Sequence, residues 1–206
     1  MKKLLLTTAA AAMLVTSSSY AAEGDFYLKA NGGWTKLDHI KRTGTKAKSQ
    51  NSGFLGAGAG YHVMDNVRVD LTYDHFFNPN FKVKADSTKL KGEIDTLLLN
   101  AFVDVYDMDA FKVFVGAGVG ASNIKAKLKG DNIPPGVKSK AKKNVAFAAY
   151  LGTSYEFAPC VTGELTYSYR DMGKTKKLHD HTGTSIRDTS FHYKGHNIGA
   201  GVRFDL

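Results

Sequence analysis

The sequence has few of the residues that cross-link a small domain or carry a chain across a membrane as a helix. It contains a single cysteine, Cys160, so no disulfide can form within the chain. It has 4 prolines against 21 glycines, a balance that excludes a proline-rich disordered chain and favours strands and turns. No stretch reaches about 18 consecutive apolar residues, the length that indicates a transmembrane helix. If the chain enters a membrane, it must do so with strands.

The beginning of the chain has the pattern of an export signal. Lys2 and Lys3 precede an apolar run from Leu4 to Val15, and small polar residues then lead to Ala21. This order is typical of a secretory signal peptide. A membrane anchor is the alternative, but the run is shorter than the roughly 20 residues that span a bilayer. We therefore expect residues 1–21 to be a signal peptide and residues 22–206 to form a single exported domain.

Strict alternation of apolar and polar residues is the main feature of the rest of the chain, and it is clearest in the final stretch, 193–206. A strand places alternate side chains on opposite faces, so this stretch predicts a strand with one apolar face and one polar face. The apolar face holds Ile198, Ala200, Val202, Phe204 and Leu206. The polar face holds Asn197, Gly199, Gly201, Arg203 and Asp205. A closed barrel explains such a strand at the end of the chain, because the last strand then pairs with the first.

The same alternation predicts eight strands. They cover residues 25–35, 53–63, 67–77, 93–106, 111–122, 145–157, 161–170 and 193–206. The links between them are alternately long and short, and the long ones are residues 36–51, 78–92, 123–144 and 171–188. Short turns on one side and long loops on the other are typical of a transmembrane barrel. We therefore predict an all-β fold, an eight-stranded antiparallel β-barrel in the bacterial outer membrane with its long loops on the cell exterior.

A soluble lipocalin-type barrel with its apolar face inward is the alternative. The export signal, the loop asymmetry and the aromatic residues near the strand ends favour the membrane barrel. In that arrangement Leu99, Val115 and Val202 face lipid, whereas Asn100 and Arg203 face the lumen. Eight strands leave an interior just wide enough for side chains to fill, so we expect the lumen charges to pair with one another rather than to line a pore.

Three patterns resemble functional sites, and each has a simpler interpretation. The glycines of 56–60 and 116–120 repeat every second residue inside strands, whereas a phosphate-binding loop opens a helix. His179, Asp180 and His181 lie in a long link that does not fix metal ligands in place. No spacing of His, Ser, Asp or Cys160 indicates a nucleophile with its base. We expect no enzyme activity, no cofactor and no metal.

The charges are distributed unevenly. The four long links hold 20 of the 28 lysines and arginines but only six of the 19 aspartates and glutamates. The strands and short turns are left with an excess of acidic residues. The third long link is the most basic, with seven lysines and one acid, Asp131. The sequence thus predicts an acidic barrel body with a basic outer end.

A positive field of this kind captures polyanions, so we interpret the basic residues of the long links as binding residues. The candidates are Lys41, Arg42, Lys46, Lys48, Lys125, Lys127, Lys129, Lys138, Lys140, Lys142, Lys143, Lys174, Lys176 and Lys177. Suitable partners are sulfated glycans, the anionic heads of lipopolysaccharide and acidic patches of proteins, whereas nucleic acid belongs to the wrong compartment. The alternative is that these charges only keep the loops solvated, which would make the protein a structural barrel without a specific ligand. We expect a monomer.

The chain also resembles the small outer-membrane β-barrels of the opacity and OmpA types, and more narrowly the rickettsial Adr-type surface adhesins. The resemblance lies in FYLKANGGW, VRVDLTYDHF, FVGAGVGASN, ELTYSYRDMG and IGAGVRFDL, and it covers nearly all of the chain after the signal. It implies attachment to host surfaces and capture of host serum vitronectin, with resistance to complement. These roles follow from the resemblance and not from the alternation or the charge.

Overall fold

A computed structural model describes the backbone of residues 24–37, 41–42, 45–46, 51–77, 80–82, 89–108, 110–129, 142–174, 178–179, 185–187 and 192–206. It describes side chains for residues 24–37, 51–77, 93–108, 110–125, 143–173 and 192–206. The predicted signal peptide lies outside the described residues. Among the described residues there is no helix long and apolar enough to cross a membrane.

The described structure consists of strands. In chain order they are β1 (Phe26–Leu37), β2 (Lys41–Arg42), β3 (Thr45–Lys46), β4 (Asn51–Met64), β5 (Val67–Phe77), β6 (Asn80–Lys82), β7 (Lys89–Met108), β8 (Phe111–Lys129), β9 (Lys142–Ala158), β10 (Val161–Lys174), β11 (Leu178–His179), β12 (Ser185–Arg187) and β13 (His192–Asp205). The eight long strands β1, β4, β5, β7, β8, β9, β10 and β13 form the wall, and each pairs antiparallel with the next. The last closes on the first, with Tyr27 opposite Asp205 and Leu37 opposite Gly195. The predicted eight-stranded antiparallel barrel is confirmed.

The two faces of the wall follow the predicted alternation. Leu99 and Val115 are exposed on the outside, whereas Asn100 and Arg203 are buried in the lumen. Antiparallel strands of this kind satisfy every backbone group within the wall, so an apolar outer surface can face lipid. Aromatic side chains near the strand ends, such as Trp34 at 73% exposure, extend the outer apolar band.

The lumen-facing glycines make room for rings from neighbouring strands. A Cβ placed on Gly60 would lie 2.2 Å from the ring of Tyr27. One placed on Gly116 would lie 2.4 Å from the ring of Phe102. The glycine-rich strands therefore serve packing, in agreement with the interpretation that they are not phosphate loops.

The pattern of the faces reverses at the outer end, which we define as the end of the barrel that carries the long links. Leu97, Ala121 and Val145 are in register on three neighbouring strands and form the last apolar row on the outside. Above this row the outside becomes polar and the inside becomes apolar, as Ile94 and Ile124 are both buried. The strands thus continue beyond the membrane-facing band with their two faces exchanged.

This continuation corrects the predicted link boundaries. Residues 123–129 and 142–144, predicted as part of the third link, belong to β8 and β9. Residues 89–92, predicted as part of the second link, belong to β7, and residues 171–174 belong to β10. The sequence pattern lost its outward apolar residues at these points, and that loss marks the membrane boundary rather than the end of each strand.

Candidate functional site

A cluster of charges centred on Glu164 occupies the lumen toward the end of the barrel that carries the short turns. Its carboxylate oxygens lie 2.8 Å from Lys29 Nζ, 3.1 Å from Arg203 Nη1 and 3.4 Å from Arg68 Nη2. Arg68 also contacts Asp104, with 2.6 Å between Nη1 and Oδ1. These residues come from five different strands. The cluster therefore spans the interior, as the predicted pairing of lumen charges requires.

A second buried pair lies above the first. Arg170 Nη1 donates to Asp74 Oδ2 at 2.7 Å, and Asn31 donates to the other oxygen of the same carboxylate at 2.9 Å. The guanidinium group of Arg170 also lies 5.5 Å from the ring centre of Phe54 and 5.6 Å from that of Phe76. Such contacts suit a desolvated arginine, which binds both carboxylates and aromatic faces.

An apolar cluster covers these charges at the outer end. It consists of Leu37, Phe54, Phe76, Ile94, Ile124, Met172 and Tyr193, all buried. The inward faces of the strand extensions supply most of it. Within the described residues, this cluster covers the lumen at the outer end, above a small cavity of about 30 Å³ beside Asp74 and Arg170.

The outer surface just above the apolar band carries polar pairs. Asp95 accepts a hydrogen bond from Tyr73 Oη at 2.8 Å, and His75 Nδ1 lies 2.7 Å from the same carboxylate. Partial burial by itself would raise the pKa of Asp95, but the hydrogen bonds with His75 and Tyr73 outweigh it and hold this pKa below its ordinary value. Asp95 is therefore held as an anion at the level where the lipid-facing wall ends.

The predicted binding residues form three groups, according to how much of each residue the structure describes. Lys125 and Lys143 have described side chains, and both are exposed on strands. Lys41, Arg42, Lys46, Lys127, Lys129, Lys142 and Lys174 have a described backbone, and all lie on strands rather than in loops. Lys48, Lys138, Lys140, Lys176 and Lys177 lie outside the described residues.

The strand register brings the lysines of the third link together with lysines that were not among the predicted binding residues. Lys91 is directly opposite Lys127, and Lys89 is directly opposite Lys129. On the other side of β7, Lys82 of β6 is opposite Lys89. The sequence signal that could have found them is the alternation of KLKGEI and NIKAKLK, in which every second residue is polar and five of these seven polar residues are lysines.

Comparisons with known proteins agree with this architecture. Residues 7–204 match a family model described as the outer membrane protein beta-barrel domain. Several relatives carry the name "Putative adhesin". The one from Rickettsia conorii is 40% identical and is matched over 91% of this chain and 85% of its own length. The one from Rickettsia prowazekii is 36% identical over 89% of both chains.

Solved structures share the fold at low identity. Neisserial surface protein A is 20% identical with a TM-score of 0.62, and the match covers 88% of this chain and 97% of that one. Ail, the attachment invasion locus protein of Yersinia pestis, is 16% identical with a TM-score of 0.52, over 88% of this chain and 99% of that one. That structure of Ail is a complex with the heparin analogue sucrose octasulfate.

Proposed function

Because this chain belongs to the outer-membrane β-barrel family, we propose that it is a surface adhesin of the bacterial outer membrane that binds host partners through its basic outer end. The barrel acts as a monomer, its wall in contact with membrane lipid and its basic residues directed away from the cell. The partners are acidic or sulfated: host surface or serum proteins such as vitronectin, and sulfated glycans. Binding of this kind aids attachment and resistance to serum.

The observation that carries the proposal is the placement of charge. Among the described residues an apolar cluster covers the lumen at the outer end. Of the 28 basic residues, 20 belong to the segments that the sequence assigned to that end. A positive surface of this size speeds the encounter with anionic partners. The adhesin name of the rickettsial relatives supports the adhesin role, and the heparin analogue bound to Ail supports an anionic partner.

The test measures binding of the refolded full-length barrel to immobilised vitronectin and to immobilised heparin, each at low and at high salt. Exposed charges are screened beyond about 8 Å at physiological salt, so we expect the association rate to fall as salt rises. Replacing Lys138, Lys140, Lys142 and Lys143 together with serine should weaken binding and leave the barrel folded. Lys112, at the opposite end and paired with Asp107, provides the control position, since Lys112→Ser should leave binding unchanged.

Wild-type protein that binds neither ligand would overturn the proposal and leave a structural barrel without a specific ligand. Binding that is unchanged both by higher salt and by the four substitutions would refute the role of charge. In that case the contact would depend on apolar loop residues such as Ile133 or Val137.

A further inference from the structure

We propose that the outward face of the β6–β7–β8 extension is a binding site for a linear sulfated polyanion, formed by five lysines in two rows. This inference rests on the proposed function and names its ligand class and its site. The first row crosses three strands through Lys82, Lys89 and Lys129. The second row crosses the same strands through Asn80, Lys91 and Lys127. We call these five lysines the lysine ladder.

The register decides which face of the wall the ladder belongs to. The β7–β8 pairing is continuous from Lys89 opposite Lys129 to Asp104 opposite Phe114. Since alternate residues of a strand share a face, Lys89 and Lys91 belong to the same face as Leu97, which is exposed to the outside. Lys127 and Lys129 share the corresponding face of β8. The ladder therefore lies on the outer surface of the wall and not in the lumen.

Charge is balanced in the rows below the ladder and unbalanced within it. Immediately above the last apolar row, Asp95, Asn123 and Lys143 are in register, and Glu93 is opposite Lys125 in the next row. Each of these two rows contains one acid and one lysine. The two ladder rows contain five lysines and an asparagine at their six positions. The positive charge is thus concentrated at the far end of the extension.

This arrangement is unfavourable for the wall itself. Like charges directly opposite one another on neighbouring strands destabilise a sheet. The ladder contains three such pairs: Lys82 with Lys89, Lys89 with Lys129, and Lys91 with Lys127. A solvated surface with mixed charges would avoid this cost. A row of cations at fixed spacing is instead suited to an anionic chain that offers many negative groups.

The height of the ladder above the membrane distinguishes between two possible ligands, an extracellular polyanion and the lipid headgroups. Lys91 and Lys89 are six and eight residues beyond Leu97, which is about 20 and 27 Å along a strand at a rise of about 3.4 Å per residue. With the usual strand tilt of about 40°, these distances become roughly 15 and 20 Å above the end of the apolar band. The headgroup layer is only about 5–8 Å thick on each side of a bilayer. The ladder therefore lies above the headgroups, where a long polyanion can reach it.

The experiment compares two quintuple variants that lose the same net charge. The ladder variant replaces Lys82, Lys89, Lys91, Lys127 and Lys129 with serine. The matched variant makes the same change at Lys138, Lys140, Lys174, Lys176 and Lys177. A third variant replaces the five ladder lysines with arginine and so keeps their charge. Far-UV circular dichroism and heat-modifiable migration in gels confirm that each full-length protein has refolded.

Affinity for heparin is the primary measurement. We expect the ladder variant to lose at least about tenfold in affinity and to show a shallower dependence on salt, because fewer counterions are released when heparin binds. The matched variant should also weaken heparin binding, because it loses positive charge at the same end, but its loss should be at least about threefold smaller than that of the ladder variant. The arginine variant should bind like wild type. Saturating heparin should also raise the Tm of the wild type and of the matched variant but not that of the ladder variant.

Three outcomes would overturn the inference. Equal losses in the ladder and matched variants would mean that net charge alone matters, and the proposed function would survive. Absence of heparin binding by the wild type would refute the ladder and, together with absence of vitronectin binding, the proposed function as well. If bilayers of anionic phosphatidylglycerol raise the Tm of the wild type relative to the ladder variant, and phosphatidylcholine bilayers do not, the ladder binds lipid phosphates of its own membrane.

Discussion

At the scale of single residues, Glu164 is the position on which the lumen most depends. Its carboxylate faces three cations, Lys29, Arg68 and Arg203, and the side chain is almost completely buried. A buried ion cluster is not in itself evidence of large stability, because desolvation offsets the attraction. Removal of one partner is different, since it leaves the remaining charges buried and uncompensated.

We therefore predict that Glu164→Gln lowers the free energy of unfolding by about 3–5 kcal/mol, the usual cost of breaking a buried charge pair from one side. The measurement is equilibrium unfolding in urea of the barrel refolded into lipid vesicles. Glu156→Gln, near the turn at Pro159, makes the same chemical change at a position outside this cluster and should cost little. A loss below about 1 kcal/mol for Glu164→Gln would show that the lumen charges are solvated rather than mutually paired.

Asp95 makes the stability of the folded barrel depend on pH. Its pKa is lower in the folded barrel than in the unfolded chain, so it contributes stability that is fully present above the ordinary aspartate pKa of about 3.9. This contribution is lost as the pH falls through the folded-state pKa. The Tm of the wild type should therefore exceed that of Asp95→Asn at pH 7, and the gap should shrink at about pH 3.

The control variant is Asp107→Asn. Asp107 pairs with Lys112 at the opposite end of the barrel, so this variant shows how much of the change is a general response to acid. A gap between wild type and Asp95→Asn that stays constant, or that grows toward low pH, would contradict the hydrogen-bonded anion described for this position.

At the scale of single strands, the outward-facing residues show which part of each strand lies within the membrane. Val115 lies near the middle of the lipid-facing part of β8, which runs from Phe111 to Ala121, and is opposite Val103 and Leu151 on the two neighbouring strands. An arginine at the mid-plane of a barrel's lipid face costs about 2–4 kcal/mol, whereas near the interface the cost falls to about 0–1 kcal/mol. Val115→Arg should accordingly impair assembly far more than Met108→Arg, which is outward-facing near a turn.

The fraction of each variant that refolds into vesicles, read from heat-modifiable migration, measures this difference. Equal refolding of Val115→Arg and Met108→Arg would mean that the depth assigned to β8 is wrong.

The strands also show how far a sequence can be interpreted without a structure. The alternation located all eight wall strands and their lipid-facing sides, because a period of two is imposed by every strand. It failed at the outer ends, where NIKAKLK keeps the period but places lysines outside and Ile124 inside. The lysines were interpreted as a loop because polar residues then occupied the expected apolar face.

The partners within the lumen could not be predicted in the same way. Alternation shows that Glu164 and Lys29 both face inward, but not that they meet, since that depends on the stagger between strands far apart in the sequence. Predicting that Lys89 lies opposite Lys129 would likewise require the register of the β7–β8 hairpin, and no local sequence pattern gives that register.

At the scale of the whole molecule, the closed barrel has two ends of opposite charge. One end carries three tight turns and acidic residues such as Asp65, and the other carries the strand extensions with their lysines. The wall holds this polarity rigidly, because each of its eight long strands pairs with a neighbour on both sides. Function therefore depends on orientation: the basic end can meet a host only if it faces outward from the cell.

Labelling of single cysteines on intact bacteria is the most direct test of that orientation. In a Cys160→Ser background, one variant carries Lys143→Cys on the exposed part of β9 and a second carries Asp65→Cys in an exposed turn. A bulky maleimide–polyethylene glycol reagent that does not cross the outer membrane should modify the first variant on intact cells. It should modify the second only after the outer membrane is permeabilised. Modification of Asp65→Cys on intact cells while Lys143→Cys stays protected would contradict the account, since the basic end would then face the periplasm.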